Sequence, residues 1–411
     1  MGLAGLCHRP FAEGCTAQNA GFASVAPPRR STPGSPSSSR LALASLPQPD
    51  LEVRSFRNAE RQYPCARPSV LSPRAPRGDA SMRSGPPPSN EPRCGVLLFN
   101  LGGPETLADV RPFLYNLFSD PDIIRIRSRV LRNSVAWLIA TTRQKKSRGL
   151  YRQIGGGSPL RRITEEQASA LEARLAARGV AARAYVGMRC WKPTIDDAVS
   201  AIASDRISRL VALPLFPQYS VTTTGSCFNH FKAVLARARL ASRIKVSYVE
   251  HWYEEPRYVE AMADRIREVS GGGGGFHLLY SAHSIPARYV AEGDPYLEQT
   301  RRTVERIDAQ LGNPAPSMLA FQSKVGPVRW LEPSTRDVIL RLARDGTRRV
   351  VVVPISFVSD HIETLQEIDI LYKQLAAGAG IAEFARAPSL NLHPRFIEAL
   401  SDLVVRALQE R

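Results

Sequence analysis

Short apolar runs recur from position 94 onward, and segments with helical spacing of apolar residues separate them. The runs are five or six residues long, and they cover 95–100, 184–188, 210–215, 244–249, 276–280 and 349–354. Because they are mostly apolar along their length, they are typical of strands that are buried on both faces. The helical patterns lie at 165–178, 256–269, 294–311 and 333–345. Strands that alternate with helices in this way predict parallel sheets covered by helices.

The number of runs predicts two sheets rather than one, because six or more strands are spread over about 300 residues. Five consecutive glycines at 271–275 divide the runs into two groups, and such a segment is typical of a flexible connection. We therefore predict an α/β protein with two domains, at 93–270 and 271–411. In sheets of this kind ligands bind beyond the carboxyl ends of the strands, so polar residues that follow the runs are the first candidates for a site.

The first 92 residues differ from the rest in composition. They contain 15 of the 32 prolines and 11 arginines, but no lysine and only six acidic residues. An Arg- and Ser-rich segment with few acidic residues is typical of an organellar transit peptide. A disordered tail, or upstream sequence translated from a misplaced start, would have the same composition. We predict a disordered leader at 1–92 that directs the protein to an organelle, and its Ser and Pro content favours a plastid over a mitochondrion.

Residues 113–141 interleave apolar side chains with arginines. Arg125, Arg127, Arg129 and Arg132 lie among Phe, Leu, Ile, Val and Trp residues. An apolar face with arginines beside it is suited to a peripheral contact with an anionic membrane. An amphipathic helix of the protein core would show the same pattern, so both interpretations stay open at this point. No apolar run in the sequence is long enough to predict a transmembrane helix.

The net charge changes which partners are expected. The formal charge is +17, of which the leader holds +5 (11 minus 6), so the remaining chain holds +12. A basic body favours anionic partners such as phospholipids or carboxylated ligands. Nucleic acid is not expected, because no recognition motif accompanies the charge. The six cysteines are scattered without a CxxC pair, which predicts reduced thiols rather than a metal or disulfide framework.

Three carboxylates follow the apolar run at 349–354. Asp360, Glu363 and Glu367 are spaced i, i+3 and i+7, which places them on one face of a helix that begins near Ser359. Neighbouring carboxylates repel one another, so a buried row of them needs a cation to balance it. A solvated helix face with an N-cap residue at its start is the alternative.

His283 lies just beyond the run at 276–280. A histidine at a strand end can exchange a proton near neutral pH, or it can offer a neutral nitrogen to a metal such as Fe²⁺. A single histidine is more often structural. The carboxylates at 360–367 follow a second strand and could face His283 across one cleft, and this makes a functional site the stronger hypothesis.

Eight segments of the chain, in order, resemble segments of the ferrochelatase family, whose members insert ferrous iron into a porphyrin. They are NLGGPET at 100–106, IGGGSPL at 154–160, LFPQYS at 215–220, TGS at 224–226, SAH at 281–283, GDPY at 293–296, FQSKVGP at 321–327 and PISFVSDHIETLQEID at 354–369. The resemblance extends from about residue 94 to the C-terminus. It implies two Rossmann-like domains of the chelatase type with an active-site cleft between them.

The resemblance also implies roles for single residues. The protein would insert Fe²⁺ into protoporphyrin IX with release of two protons, the last step of heme biosynthesis. His283 would accept protons, Glu363 would act with it in metal delivery, and the two would lie on opposite sides of the porphyrin plane. Asp360 and Glu367 would extend the metal-binding set. Substrate-contact positions of the family are occupied here by Leu101, Tyr219, Trp330 and Phe357 at the ring, and by Arg152 and Arg189 at the propionates.

The same resemblance implies that iron is a substrate and that no cofactor is tightly bound. Some members of the family carry a cysteine-ligated iron–sulfur cluster near the C-terminus, but no cysteine follows Cys227 here, so we expect no such cluster. Two alternatives stay open, a related chelatase that inserts another metal such as cobalt into a different tetrapyrrole, and a non-catalytic porphyrin carrier. The sequence leaves the oligomeric state undefined.

Overall fold

The computed structural model describes residues 94–271, 275–312, 315–324, 326 and 328–410. These residues contain two parallel four-stranded sheets. The first sheet has the strand order β2-β1-β3-β4, with β1 Cys94–Asn100, β2 Ala182–Met188, β3 Arg209–Pro214 and β4 Lys245–Tyr248. The second has the order β6-β5-β7-β8, with β5 His277–His283, β6 Ser317–Gln322, β7 Arg349–Pro354 and β8 Glu383–Arg386. The predicted α/β class with two sheets is therefore confirmed. The predicted leader at 1–92 lies outside the described residues.

Helices connect the strands. They are α1 Val110–Ser119, α2 Arg129–Gln153, α3 Leu160–Ala177, α4 Ile195–Ser204, α5 Ser226–Arg237, α6 Pro256–Ser270, α7 Ala287–Ala291, α8 Tyr296–Leu311, α9 Thr335–Arg344, α10 Lys373–Gly378 and α11 Pro394–Gln409. Two further segments, Val221–Gly225 and Glu363–Tyr372, wind as π-helices. The segment 113–141, considered above as one amphipathic unit, contains the end of α1, a non-helical stretch at 120–128 and the first half of α2.

The central strands are buried because both of their faces are covered. In β1, Val96 and Leu98 belong to one apolar cluster, whereas Leu97 and Phe99 belong to another on the opposite face. This division follows from the two-residue alternation of side chains along a strand. Phe99 packs edge-to-face against Phe231, with the ring centroids 5.4 Å apart. A continuous apolar run is therefore what a central strand requires here.

The core extends across both sheets. The cluster that contains Val96 of β1 also contains Leu278 of β5 and Val351 of β7. Helix α11 follows the last strand of the second sheet, yet it packs against α3, α6 and β3 of the first half. The glycine-rich segment does separate the strands of the two sheets, but the described residues form one compact unit. The domain boundary at 270/271 stays a prediction.

Candidate active site

The carboxyl ends of the parallel strands carry the predicted site residues. His283 is the last residue of β5, and Glu363 begins the π-helix that follows β7. Because β5 and β7 are neighbours in one sheet, their carboxyl ends lie side by side. Ligand sites in open α/β sheets form at this edge.

His283 and Glu363 contact each other directly. The Nε2 atom of His283 lies 3.3 Å from Oε1 of Glu363. Both residues belong to the second sheet and its connections, so a porphyrin ring cannot lie between them at this separation. The expectation that they occupy opposite sides of the porphyrin plane is therefore wrong, because two side chains in contact lie on the same side of any ring. The His283 side chain is 38% exposed, so a substrate can reach it.

Hydrogen bonds fix the ring and the backbone of His283. Its Nδ1 atom lies 2.6 Å from the carbonyl oxygen of Ser284, and Nδ1–H is the donor because a carbonyl can only accept. Tyr296 donates its hydroxyl to the carbonyl oxygen of His283 at 2.8 Å. With Nδ1–H committed to Ser284, Nε2 is the nitrogen that faces Glu363 and the open side of the site.

The pair has an unusual proton affinity. Burial alone lowers the pKa of His283, but the charge and the hydrogen bond of Glu363 outweigh burial and raise that pKa to about 9. Burial raises the pKa of Glu363, but His283 and His361 outweigh burial, so this pKa lies well below its usual value. At neutral pH the pair therefore consists of an imidazolium and a carboxylate.

His361 is a site residue that the sequence reasoning missed. Its Nε2 atom lies 3.1 Å from Oε2 of Glu363, so the carboxylate is held between two imidazoles. His361 stacks at a tilt against Phe357, with 4.3 Å between the ring centroids. The signal was present in the sequence, because His361 lies two positions before Glu363 in the same motif.

Glu367 lies beside this pair and is fully hydrogen-bonded. It accepts from Nε2 of Gln322 at 3.1 Å, from the backbone N–H of Ser323 at 3.0 Å and from the hydroxyl of Tyr372 at 2.8 Å. Gln322 also donates to the backbone carbonyl of Glu363 at 3.1 Å. Ser323 has a φ of 64°, in the left-handed region, and such strained residues are concentrated at functional sites. Glu363 and Glu367 thus share one side of the π-helix, as predicted.

Asp360 does not share that side, which corrects the predicted row of three carboxylates. The predicted helix does not begin near Ser359, since the π-helix begins at Glu363. The carboxylate of Asp360 forms an ion pair with Arg386 at 3.1 Å and accepts from Asn391 at 2.8 Å. Burial raises the pKa of Asp360, but Arg386 and the hydrogen bonds outweigh burial and lower it. Asp360 is therefore already neutralised by a protein cation.

The carboxyl edge of the first sheet faces this site. Gln366 of the π-helix donates to Oε1 of Gln153, the last residue of α2, at 3.1 Å. Ser220, which follows β3, donates to Asp294 at 2.9 Å. Ile362 packs against the same apolar cluster as Leu101, which follows β1. The segments that follow the strands of the two sheets therefore meet, and the site lies where they meet.

A family model and curated relatives match almost all of the described chain. The model of the family described as Ferrochelatase matches residues 93–408. The chain belongs to the ferrochelatase family. A ferrochelatase of Synechococcus sp. (strain JA-2-3B'a(2-13)) is 53% identical over 316 residues, covering 76% of this chain and 92% of the relative. A ferrochelatase of Gloeobacter violaceus is 50% identical over 318 residues, covering 76% and 97%.

Membership of the ferrochelatase family makes this protein an enzyme that inserts a metal into a porphyrin. Among solved structures, the chain is similar to SirB from Bacillus subtilis with Fe³⁺, at 14% identity and a TM-score of 0.47, covering 77% of this chain and 95% of SirB.

The four residues at ferrochelatase ring-contact positions all lie near strand ends. Phe357 follows β7 and contacts the ring of His283 edge-on, with 6.2 Å between the centroids. Trp330 pairs with Pro286, three residues after β5, and its buried Nε1–H has no acceptor among the described residues. Leu101 and Tyr219 follow β1 and β3 and are half-buried. Their contact with substrate stays a prediction.

The two arginines at ferrochelatase propionate positions differ in their surroundings. Arg152 is exposed near the end of α2. Arg189 is only 13% exposed, and its Nη2 atom forms an ion pair of 2.9 Å with the fully buried carboxylate of Asp120. Arg189 also donates from Nε to Ser226 at 2.8 Å. A propionate at Arg189 would compete with Asp120, whereas Arg152 carries no such contact in the part of the chain that the structure describes.

Proposed function

We propose that this enzyme inserts Fe²⁺ into protoporphyrin IX and forms protoheme with release of two protons. The observation that carries the proposal is the arrangement of the His283 nitrogen and the Glu363 oxygen 3.3 Å apart at the carboxyl edge of β5 and β7. A nitrogen and an oxygen ligand of this kind suit Fe²⁺, a borderline metal. Iron is the substrate in this scheme, and we propose no tightly bound cofactor and no iron–sulfur cluster.

His283 and Glu363 can also release and accept protons. Porphyrin metalation breaks two pyrrole N–H bonds, and both protons must leave while iron forms its bonds to the ring nitrogens. Before iron binds, His283 is protonated, because the charge of Glu363 favours the imidazolium. When Fe²⁺ binds at Glu363, its positive charge replaces the proton as the partner of the carboxylate, and the pKa of His283 falls. His283 then releases its proton to solvent, and its Nε2 lone pair accepts the two pyrrole protons in turn and passes each to solvent as iron bonds to the ring nitrogens.

The proposed metal-binding pair is His283 and Glu363, with His361 as the residue that holds Glu363 and Glu367 beside the pair. Among the described residues no cluster of three or more His, Cys, Asp or Glu side chains is arranged to hold a metal ion. Glu367 would therefore guide the ion toward the pair rather than bind it together with the pair. We leave Asp360 out of this set because Arg386 neutralises it.

We propose that Leu101, Tyr219, Trp330 and Phe357 contact the porphyrin ring. Pressure of these side chains on the ring would bend it and expose the lone pairs of its nitrogens to the metal, which lowers the barrier. The Nε1–H of Trp330 has no acceptor among the described residues, and this supports the role, because a buried donor of this kind is available to a substrate. We assign a propionate to the exposed Arg152, and we assign Arg189 to the support of the pocket wall.

We propose a peripheral membrane contact through one face of α2. Val130, Leu131, Trp137 and Leu138 are 77%, 55%, 53% and 56% exposed. Large apolar side chains clustered at the surface mark an interaction site. Arg129 and neighbouring arginines of the segment suit anionic lipid. Within the described residues, none of the helices is long and apolar enough to cross a membrane.

We further propose that the protein acts in an organelle, with a plastid preferred. The composition of residues 1–92 supports import. The similar ferrochelatases cited above, from Synechococcus and Gloeobacter violaceus, are compatible with a plastid origin. A fluorescent protein fused after residue 92 tests this: plastid fluorescence is the expected result, and cytosolic fluorescence would exclude import.

The experiment that tests the reaction is an anaerobic assay of the purified full chain with Fe²⁺ and protoporphyrin IX. The expected result is catalytic formation of protoheme, which is monitored by its absorption spectrum. Preferential turnover with Co²⁺ and a different tetrapyrrole would instead identify the related chelatase. Binding of one porphyrin per chain without turnover would identify a carrier. Folded His283→Ala and Glu363→Gln variants with normal iron insertion would exclude the assigned site.

A further inference from the structure

Arg386 contacts acidic residues on both sides of the start of the π-helix. It is the last residue of β8, and its side chain is 10% exposed. Its Nε and Nη2 atoms each lie 2.8 Å from an oxygen of Asp369, which is inside the π-helix. Its Nη1 atom lies 3.1 Å from Oδ1 of Asp360, three residues before the π-helix. One guanidinium thus joins two points of the chain that flank Glu363 and Glu367.

Asp360 connects this guanidinium to the chain that follows β8. Its carboxylate accepts from Ser389 and from Asn391, each at 2.8 Å, and from the hydroxyl of Thr364 at 3.2 Å. Its backbone N–H donates to Oδ1 of Asn391 at 2.9 Å. The segment that leads into the π-helix is therefore fixed to residues 386–391 by several bonds.

The π-helix presents different residues on its two sides. Glu363 and Glu367 lie toward β5 and β6, where they contact His283 and Ser323. Asp369 lies toward β8, where it contacts Arg386. A π-helix is rare compared with an α-helix and is frequently found at functional sites. A segment held in an uncommon conformation needs support from its surroundings, and return to α-helical winding would rotate the two glutamates relative to each other.

We infer that Arg386 is the positioning residue for the metal-binding carboxylates. By clamping Asp360 and Asp369 at once, it keeps 363–372 in the π-helical form and aims Glu363 at His283. It touches neither metal nor porphyrin itself. The inference rests on the proposed function for its effect on iron, but its effect on the conformation of the π-helix does not depend on that function.

A test can separate the several hydrogen-bond donors of the Arg386 guanidinium from its positive charge. Lysine keeps the positive charge but offers one ammonium group, which cannot make two parallel bonds to Asp369 and reach Asp360 as well. Arg386→Lys therefore removes the clamp while it leaves a cation in place. If Arg386 acted only through its charge, this variant would behave as the wild type.

Arg349 provides a matched control. It is the first residue of β7, so it lies at the amino ends of the strands of the same sheet, whereas Arg386 lies at a carboxyl end. Its side chain is 27% exposed. It forms an ion pair with Glu383 at 2.9 Å and donates to the backbone carbonyl of Ser270 at 2.9 Å. Arg349→Lys therefore removes a comparable arginine fork that is remote from the π-helix.

The experiment measures amide hydrogen exchange of residues 363–372, steady-state constants and the Tm of the full-length variants. In Arg386→Lys we expect exchange of 363–372 to accelerate, while exchange in β5 and β7 stays as in the wild type. We expect the KM for Fe²⁺ to rise about tenfold or more, since partners that orient metal ligands have effects of this size. The KM for protoporphyrin IX should change by less than about twofold, because Arg386 does not contact the ring and so does not contribute to its binding. Arg349→Lys should lower the Tm without either of these effects.

Unchanged exchange of 363–372 in Arg386→Lys, with a Tm lowered as in Arg349→Lys, would overturn the inference. If Arg386→Lys does not fold, Asp369→Asn takes its place, because it removes one arm of the clamp from a half-exposed position and leaves the Asp360 pair intact. Faster exchange of 363–372 in Asp369→Asn supports the clamp, and wild-type exchange overturns it. If the wild type itself inserts no iron, the proposed function is wrong, and the exchange measurement still decides whether Arg386 holds the π-helix.

Discussion

His283 and Glu363 form a direct nitrogen-to-oxygen contact of 3.3 Å at the ends of two neighbouring strands. The second oxygen of Glu363 is held by His361 at 3.1 Å. One carboxylate therefore sets the charge of the imidazole that faces the cleft and is itself oriented by another imidazole. In the proposed mechanism the imidazolium proton and the incoming Fe²⁺ compete for the same carboxylate, so a titration of His283 tests the pair.

Glu363→Gln should lower the pKa of His283, which is about 9 in the wild type. The charge and the hydrogen bond of Glu363 raise that pKa while burial lowers it, so burial dominates once the charge is removed. The titration of the imidazole Cε1–H signal by NMR measures the shift. His393 serves as the internal control, because its pKa is lowered by burial and it is not in contact with Glu363. An unchanged His283 titration in the variant would mean that Glu363 does not set the charge of the imidazole.

The pair should also make stability depend on pH, with a sign that follows from the two shifts. The folded pKa of His283 is raised from 6.5 to about 9, so its contribution is complete below pH 6.5 and is lost as the pH rises through 9. The folded pKa of Glu363 is lowered from 4.5, so its contribution is complete above pH 4.5 and is lost as the pH falls further.

The difference in Tm between the wild type and Glu363→Gln should therefore be largest between these limits, near pH 5 to 6, and should shrink above pH 9. Thermal unfolding followed by circular dichroism across this pH range measures it. Because Glu363 also contacts His361, a His361→Asn background separates the two imidazoles. A Tm difference that grows above pH 9 would contradict the assignment of the charges.

The sequence predicted the fold well where burial alone determines a strand. Strands β1 and β7 are buried on both faces, and their continuous apolar runs identified them. Strands β6 and β8 lie at the edges of their sheet, and they escaped prediction. β8 has four residues, all partly or fully exposed, so neither its length nor its pattern separates it from a loop.

The site was predictable as a set of residues but not as a geometry. His283, Glu363 and Glu367 do meet at one strand edge, since parallel strands bring the residues that follow them together. The spacing of Asp360, Glu363 and Glu367 predicts a single face only for α-helical winding, whereas the segment from Glu363 is a π-helix. Its conformation depends on Arg386, which lies 17 residues beyond Asp369 in the chain, and no local pattern contains that contact.

Asp120→Asn should destabilise the protein by about 3–5 kcal/mol, because it leaves the buried guanidinium of Arg189 without its counter-ion. Arg189→Gln should have a similar cost, and the double variant should be more stable than the sum of the two effects predicts, since it leaves no unpaired charge. Urea unfolding of the four proteins measures these free energies.

If Arg189 only supports the pocket wall, the KM for protoporphyrin IX in the double variant should change less than in Arg152→Gln. A larger rise in the double variant would assign the propionate to Arg189 instead.

Leu131→Ser together with Leu138→Ser should weaken binding to vesicles that contain anionic lipid by about a hundredfold, since each leucine contributes about 1.5 kcal/mol when an apolar surface covers it. Both side chains are more than half exposed, so their replacement should leave the Tm and the activity in detergent unchanged. Leu392→Ser is the matched control, because Leu392 is 43% exposed just before α11 and is remote from α2 in the chain. Co-flotation with vesicles measures the binding, and iron insertion in detergent shows that the cleft is intact. Equal flotation of the double variant and the control would show that α2 does not carry the membrane contact.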